Sequence, residues 1–294
     1  MKEHTEEHTE YLNKVIAKKP VYKGVLNLYL KILEEQNKTK LEEKNIVYQV
    51  DTAEVIKEKL RNGFPIIVRQ KLKVNLTTSV ELFFRLSGIF EDSAEIKNIE
   101  KAFLENREKL SKLLEKIFLG EEDFVINEIK NAGLNSELFI FLARLSIQPL
   151  GKVLSSQLKN FVDEKLWLQG YCPICGGKPN IAELRGEEGK KYLHCSFCSY
   201  EWLYKRLSCP FCNNDDHQTL GYFYAENEEG YRIDVCDKCK KYIKTIDSRK
   251  LNQPTCLAGG RVNLEIEDWC TLHLDLIAKE KNYQKEKTTL LVLT

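Results

Sequence analysis

No cysteine occurs in residues 1–165 of this 294-residue chain, so neither a disulfide nor a thiolate centre can lie within that part of it. Charge of one sign is lacking too. The formal net charge is +1, and a chain without a global positive field has little to hold a phosphate backbone by counterion release. Long apolar runs are also missing. The N-terminal "MKEHTEEHTEYLNKVIAKKP" carries acids where a secretion signal needs an apolar run. No later stretch reaches the roughly 18–20 unbroken apolar residues of a membrane span. These absences point to a cytoplasmic protein without membrane insertion. In that reducing compartment, the ten cysteines argue for metal ligation or redox work rather than disulfides.

What the cysteine-free part does have is helical periodicity. Leu110, Leu113, Leu114 and Ile117 fall at i, i+3, i+4, i+7, as do Leu138, Phe141, Leu142 and Leu145. Thr78 with Glu81 reads as a capping box before "LFFRLSGIF", and Asp51-Thr52 opens a helix that Gly63 and Pro65 end. "FPIIVRQ" suits a short buried strand or an extended linker equally. About six or seven helices are expected. From about Trp167 to Asp247 the helical stripes give way to glycine, aromatics and short strand-like runs: "KYLHC", "EWLYKRL", "YRIDVC" and "KYIKTI". A last amphipathic helix is expected from about Glu265 to Lys281, with Ile266, Trp269, Leu272, Leu276 and Ile277 on its apolar face. The expected fold class is therefore α+β. An all-helical domain (1–165) is followed by two four-cysteine ribbon modules (166–207 and 208–250) and a C-terminal helical segment (251–294).

Eight of the cysteines form C-x-x-C pairs: Cys172/Cys175, Cys195/Cys198, Cys209/Cys212 and Cys236/Cys239. Such a loop aims two thiolates at one cation from a single tight turn, and two loops complete a tetrahedral all-sulfur site. Cys175 and Cys195 enclose 19 residues, and Cys212 and Cys236 enclose 23. Each gap admits a hairpin that brings its two knuckles together. "CPICGGKP…YLHCSFCSYEW" also repeats in kind as "CPFCNNDD…RIDVCDKCKKYIK", which favours sequential pairing over an interleaved cross-brace. A thioredoxin-like site would need a helix opening at C-P-x-C. Gly176-Gly177 and Pro179 after the first knuckle, and Asn213-Asn214 after the third, prevent that. Two metal ions per chain are expected, zinc or iron. Four thiolates saturate a tetrahedral ion and leave no vacancy for hydrolysis.

The remaining candidates are weak. Cys256 and Cys270 stand alone, Cys270 as a small core residue. His194 adjoins a full ligand set, and His217 and His273 have no nameable partners. The acids read as solvated helical faces without an acid/base couple, and no G-K-[ST] follows Gly259-Gly260, so there is no phosphate loop. Between Lys165 and Lys250, 14 Lys/Arg face 12 Asp/Glu. Two divalent ions on eight thiolates bring about −4, which turns that small surplus negative. The Lys238, Lys240, Lys241 and Lys244 patch reads as a strand's solvent face. A protein partner fits better than nucleic acid.

The stretches "YCPICGGKP", "YLHCSFCSYEW", "RLSCPFC", "CDKCKKYIKTID" and "EDWCTLHLDLIAKEKNY", spanning 171–283, resemble the FdhE-type formate dehydrogenase accessory proteins. The helical half agrees in length and texture. The resemblance implies a cytoplasmic, non-enzymatic factor with rubredoxin-like metal modules. It would act on the molybdenum- or tungsten-containing catalytic subunit of formate dehydrogenase, with the eight paired cysteines as metal ligands. Gly176 closes the first knuckle as in rubredoxin, whereas Ser199, Asn213 and Lys240 stand at the corresponding positions of the others. Two further readings remain open at this point: a nucleic-acid-binding or transcription-related zinc ribbon, and an electron-transfer protein with thiolate-bound iron.

Overall fold

Side-chain caps start several helices of the N-terminal half, the expected one at Thr52 among them. In this computed structural model, which describes residues 9, 11–17, 20–39, 45–48, 51–226, 228–251 and 262–286, residues 11–17 are helical and seven further α-helices among the described residues precede the first cysteine. They are α1 (Lys23–Lys38), α2 (Ala53–Arg61), α3 (Thr77–Ile89), α4 (Ala94–Leu104), α5 (Arg107–Leu119), α6 (Glu122–Asn131) and α7 (Ser136–Leu158). Thr52, Ser93, Asn106 and Asn135 accept hydrogen bonds from first-turn N–H groups of α2, α4, α5 and α7. The expected Thr78–Glu81 capping box does not form. Helix α3 begins at Thr77, whose N–H is met by Asn75 Oδ1 at 3.0 Å.

Leu110, Leu113, Leu114 and Ile117 are all buried, as their spacing predicts. Helix α7 behaves differently, because it packs against α1, α3, α4, α5 and α6. Its burial extends round the helix, from Phe139, Ile140 and Leu142 to Ile147 and Leu150, so a single stripe describes it poorly. By length and composition it could cross a membrane; here it forms the centre of the bundle. "FPIIVRQ" is not a strand. It is a linker that ends in a 3-10 turn at Arg69–Lys71, with the N–H groups of Ile66 and Ile67 donating to the carbonyls of Pro173 (2.8 Å) and Ile174 (3.1 Å) in the first knuckle.

Two-residue strands β1 (Ile46–Val47) and β2 (Lys73–Val74) pair within the helical half. The cysteine region forms one six-stranded sheet from β3 (Pro179–Arg185), β4 (Lys190–Cys195), β5 (Glu201–Tyr204), β6 (Leu220–Tyr224), β7 (Tyr231–Cys236) and β8 (Lys241–Asp247). The strand order is β5-β4-β3-β8-β7-β6. Each ribbon is an antiparallel meander, and the two meet where β3 pairs with β8 in parallel, Ile181 opposite Lys244 and Leu184 opposite Asp247. The expected last helix is broken at Thr271, whose Oγ1 donates back to the Glu267 carbonyl at 2.6 Å. It becomes α8 (Leu264–Cys270) and α9 (Leu272–Glu280). The break changes the apolar face: Leu276 is exposed, and Leu274 and Ala278 are buried in its place.

One core runs from the helical bundle through Trp167, Cys172, Ile174, Leu193 and Trp202 of the first ribbon to Trp269 of α8. The second ribbon rests on a smaller cluster, in which Ile233, Val235 and Tyr242 meet Leu274 and Ala278 of α9.

Candidate metal centres

All four C-x-x-C loops use the same backbone turn. The N–H of Gly176, Ser199, Asn213 and Lys240 donates to the carbonyl of Cys172, Cys195, Cys209 and Cys236, respectively, at 2.8–3.1 Å. Each of these donor residues sits in the left-handed region, with φ of 72°, 57°, 58° and 56°. Only the first is glycine, yet the other three adopt its conformation, which identifies the turn as a structural demand of the site. Asn214 Nδ2 adds a bond to Cys236 Sγ at 3.5 Å, and the Gly177 N–H approaches Cys175 Sγ at 3.4 Å.

The sulfurs gather sequentially: Cys172, Cys175, Cys195 and Cys198 in one group, Cys209, Cys212, Cys236 and Cys239 in the other. Within the first group, Sγ–Sγ separations are 3.6 Å (172–198), 3.5 Å (175–195) and 3.5 Å (175–198). In the second they are 3.7 Å for both 209–239 and 212–236. A tetrahedron with metal–sulfur bonds of about 2.3 Å has edges of about 3.8 Å. Each group could therefore hold one metal ion, and the donor set suits zinc or iron. The electrostatics agree. Burial, with neighbouring sulfurs, pushes the Cys172 and Cys198 thiols well up. Burial opposes ionisation of Cys175 too, but hydrogen bonds from Cys172, Cys195 and Cys198 outweigh it and hold that thiol well below its usual value. Burial pushes Cys239 up to about 11. A cation placed among four crowded thiols would favour the thiolate form of all of them.

Residues 171–206 match the family model "FdhE, central domain". Over 269 residues the chain is 27% identical to a protein FdhE homolog of Aquifex aeolicus (strain VF5), covering 90% of this chain and 87% of that one. It is 30% identical over 128 residues to a homolog from Shewanella oneidensis, covering 43% of this chain and 39% of that one. The crystal structure of the FdhE protein from Pseudomonas aeruginosa superposes with a TM-score of 0.62 at 18% identity, over 97% of this chain and 94% of that chain, and so shares the fold. The chain is thus similar to FdhE proteins over most of its length.

The two centres differ in enclosure. All four cysteines of the first are buried, whereas Cys212 and Cys239 of the second are partly exposed. The helical half closes the first. Phe197, inside the second knuckle, lies against Phe118 (5.2 Å between ring centroids) with the Arg69 guanidinium 4.9 Å from its ring centre. Gly151 of α7 faces the Phe197 carbonyl so closely that a Cβ there would stand 2.5 Å from the oxygen.

The other expected candidates take structural places. His194 is buried, its Nδ1 2.8 Å from Asn180 Oδ1, and burial lowers its pKa. His273 Nε2 meets Glu228 Oε2 at 2.8 Å, His217 is exposed, and Cys270 is buried. Cys256 and Gly259-Gly260 lie outside the described residues. Two expectations fail. Lys244 is not on a solvent face but fully buried, 2.6 Å from Asp268 Oδ1 and 2.9 Å from Asp275 Oδ2. Nor are the acids all solvated, since Glu267, Asp268 and Asp275 are buried. Tyr242 donates to Asp275 (2.7 Å), Asn180 to Asp268 (2.9 Å), and Lys285 stands 3.1 Å from Asp275. This network ties α8 and α9 to β3 and β8 of the joined sheet. The pairing of a strand lysine with acids some 25–30 residues later has no local sequence signal; only their common burial reveals it.

Proposed function

We propose that the protein is a cytoplasmic accessory factor for formate dehydrogenase maturation rather than an enzyme. Its metal-stapled double ribbon would bind the catalytic subunit of that molybdenum- or tungsten-containing enzyme. In this reading Cys172, Cys175, Cys195 and Cys198 ligate one metal ion, and Cys209, Cys212, Cys236 and Cys239 a second, zinc or iron. The observation that carries the proposal is the gathering of eight sulfurs into two complete sets in a chain similar to FdhE proteins. A saturated all-thiolate ion has no open position for substrate or water. His194, beside Cys195 in the chain, is buried and bonded to Asn180 rather than open to a substrate. The ribbons' charge, negative once metallated, favours a protein partner over phosphates.

Affinity purification from the native cytoplasm tests this directly. The catalytic subunit should co-purify, and less of it when Cys-to-Ala changes empty either centre. Deletion of the protein should abolish active formate dehydrogenase while the subunit's messenger level holds, and the isolated protein should oxidise no formate. Normal formate dehydrogenase activity in the deletion strain, or tight salt-sensitive binding of DNA or RNA, would overturn the reading. Elemental analysis should find two metal ions per chain, and visible absorption separates iron from colourless zinc.

A further inference from the structure

The two ribbons are the same three-stranded unit used twice and joined head to tail. In the first unit β3 is the outer strand, antiparallel to β4, which ends at Cys195. In the second, β6 holds the equivalent place against β7, which ends at Cys236. The outer edge of β3 is filled by β8, running parallel. Among the described residues, the equivalent edge of β6 ends the sheet. A head-to-tail junction does not close on itself, so the unit that accepted a strand at β3 presents its acceptor edge again at β6.

The surroundings of that edge specify what it would accept. On one face of the sheet Phe223 packs beside Tyr283 and the α9 cluster. On the other, Tyr222 and Tyr224 are 58% and 45% exposed, and Leu207, from the loop after β5, is 73% exposed. Between the loop and the strands lies a furrow of about 170 Å³, lined in part by Leu207, Phe211, Leu220 and Tyr222. That is below the roughly 300 Å³ of a small-molecule pocket and leaves room for one anchoring side chain. The charge here is positive. Arg232 lies over the Tyr222 ring (4.9 Å) and Lys250 over that of Tyr224 (5.3 Å), while Arg206 lines the furrow. The carboxylate in the lining, Asp234, is already shared by Lys191 and Arg232.

We propose that β6 and this furrow receive an extended acidic segment of a partner protein, added as a strand parallel to β6. One apolar side chain would seat between Leu207 and Tyr222, with carboxylates facing Arg206, Arg232 and Lys250. The proposal rests on the reading of the ribbons as a platform for a client, and names the surface. Single-stranded nucleic acid could use the tyrosines and cations, but not the open row of backbone N–H and C=O groups; that row favours a peptide.

Hydrogen exchange on the full-length, metal-loaded protein tests it. The probes are a short synthetic peptide of alternating Glu and Val with a central Leu, its Lys-for-Glu counterpart, an oligothymidylate, and the purified formate dehydrogenase catalytic subunit. The acidic peptide and the subunit should slow exchange at 220–224, and the basic peptide should not. Leu207→Ser and Arg206→Glu, both at the surface, should weaken acidic-peptide and subunit binding roughly tenfold with metal content unchanged. Protection at 220–224 by neither the acidic peptide nor the subunit overturns the proposal, as does protection by the oligothymidylate alone. If the subunit binds the parent and both variants equally, the surface is wrong and the client reading stands. If the acidic peptide binds there but the subunit does not bind at all, the surface stands and the client reading falls.

Discussion

Glu267 has its carboxyl fully buried at the start of α8. Tyr11 donates to its Oε1, and its Oε2 has no hydrogen-bond partner among the described residues. Burial pushes its pKa from 4.5 up to about 8. Between those values the unfolded chain ionises this group and the folded chain does not. Stability should therefore fall as pH rises through that window, by up to about 1.4 kcal/mol per unit, and level off above it. Glu267→Gln should remove this slope, leaving the variant more stable than the parent at pH 8 and the gap small at pH 5. Urea midpoints at the two pH values check this; parallel changes in both proteins would rule it out. The knuckle residues show how far single residues were legible. The cysteines could be read from spacing, and their sequential grouping from the internal repeat. The identity of the four turns could not, because Ser199, Asn213 and Lys240 mask a left-handed position that glycine would have advertised.

Among elements, α7 and the C-terminal helices bear on the sheet in different ways. Gly151→Ala puts a methyl against the backbone of Phe197 and Cys198, which cannot rotate away. The substitution should cost about 1–3 kcal/mol despite the better helix propensity of alanine, with the loss visible in thermal unfolding. Lys244→Met leaves Asp268 and Asp275 buried, with Lys285 as the remaining cation beside them among the described residues. The lost pairing should destabilise by about 3–5 kcal/mol and release α8 and α9 from the sheet, seen as faster exchange at 264–280. The strands seen in the sequence, β4, β5, β7 and β8, follow or lead directly into cysteine pairs. The two missed in the cysteine region, β3 and β6, open their ribbons. In β3 six of seven residues are buried, so the alternation that marks a half-exposed strand is absent. In β6 the run is short and half-exposed. The helix break at Thr271 was invisible for a related reason: the apolar residues on either side still suit a helical period.

At the scale of the whole molecule the two centres sit in unequal surroundings, one inside the shared core and one toward solvent. A chelator should strip the second centre first, leaving about half the metal bound with the helical signal in circular dichroism unchanged. Simultaneous loss of both ions would show that enclosure does not govern release. Cys209→Ala should loosen β6 and β7 alone. Cys172→Ala should also raise exchange in the helical half, because Ile66 and Ile67 hydrogen-bond to that knuckle; unchanged exchange at 64–68 would refute this. The overall class, helices then ribbons, was readable from texture. The fusion of both ribbons into one sheet was not, since the β3–β8 contact joins residues about sixty positions apart. That separation has a consequence during synthesis. At about 5–20 residues per second, β3 would leave the ribosome roughly 3–12 s before β8. Through that interval the newborn chain carries a folded first ribbon with a bare edge, and the strand that covers it has not yet been made.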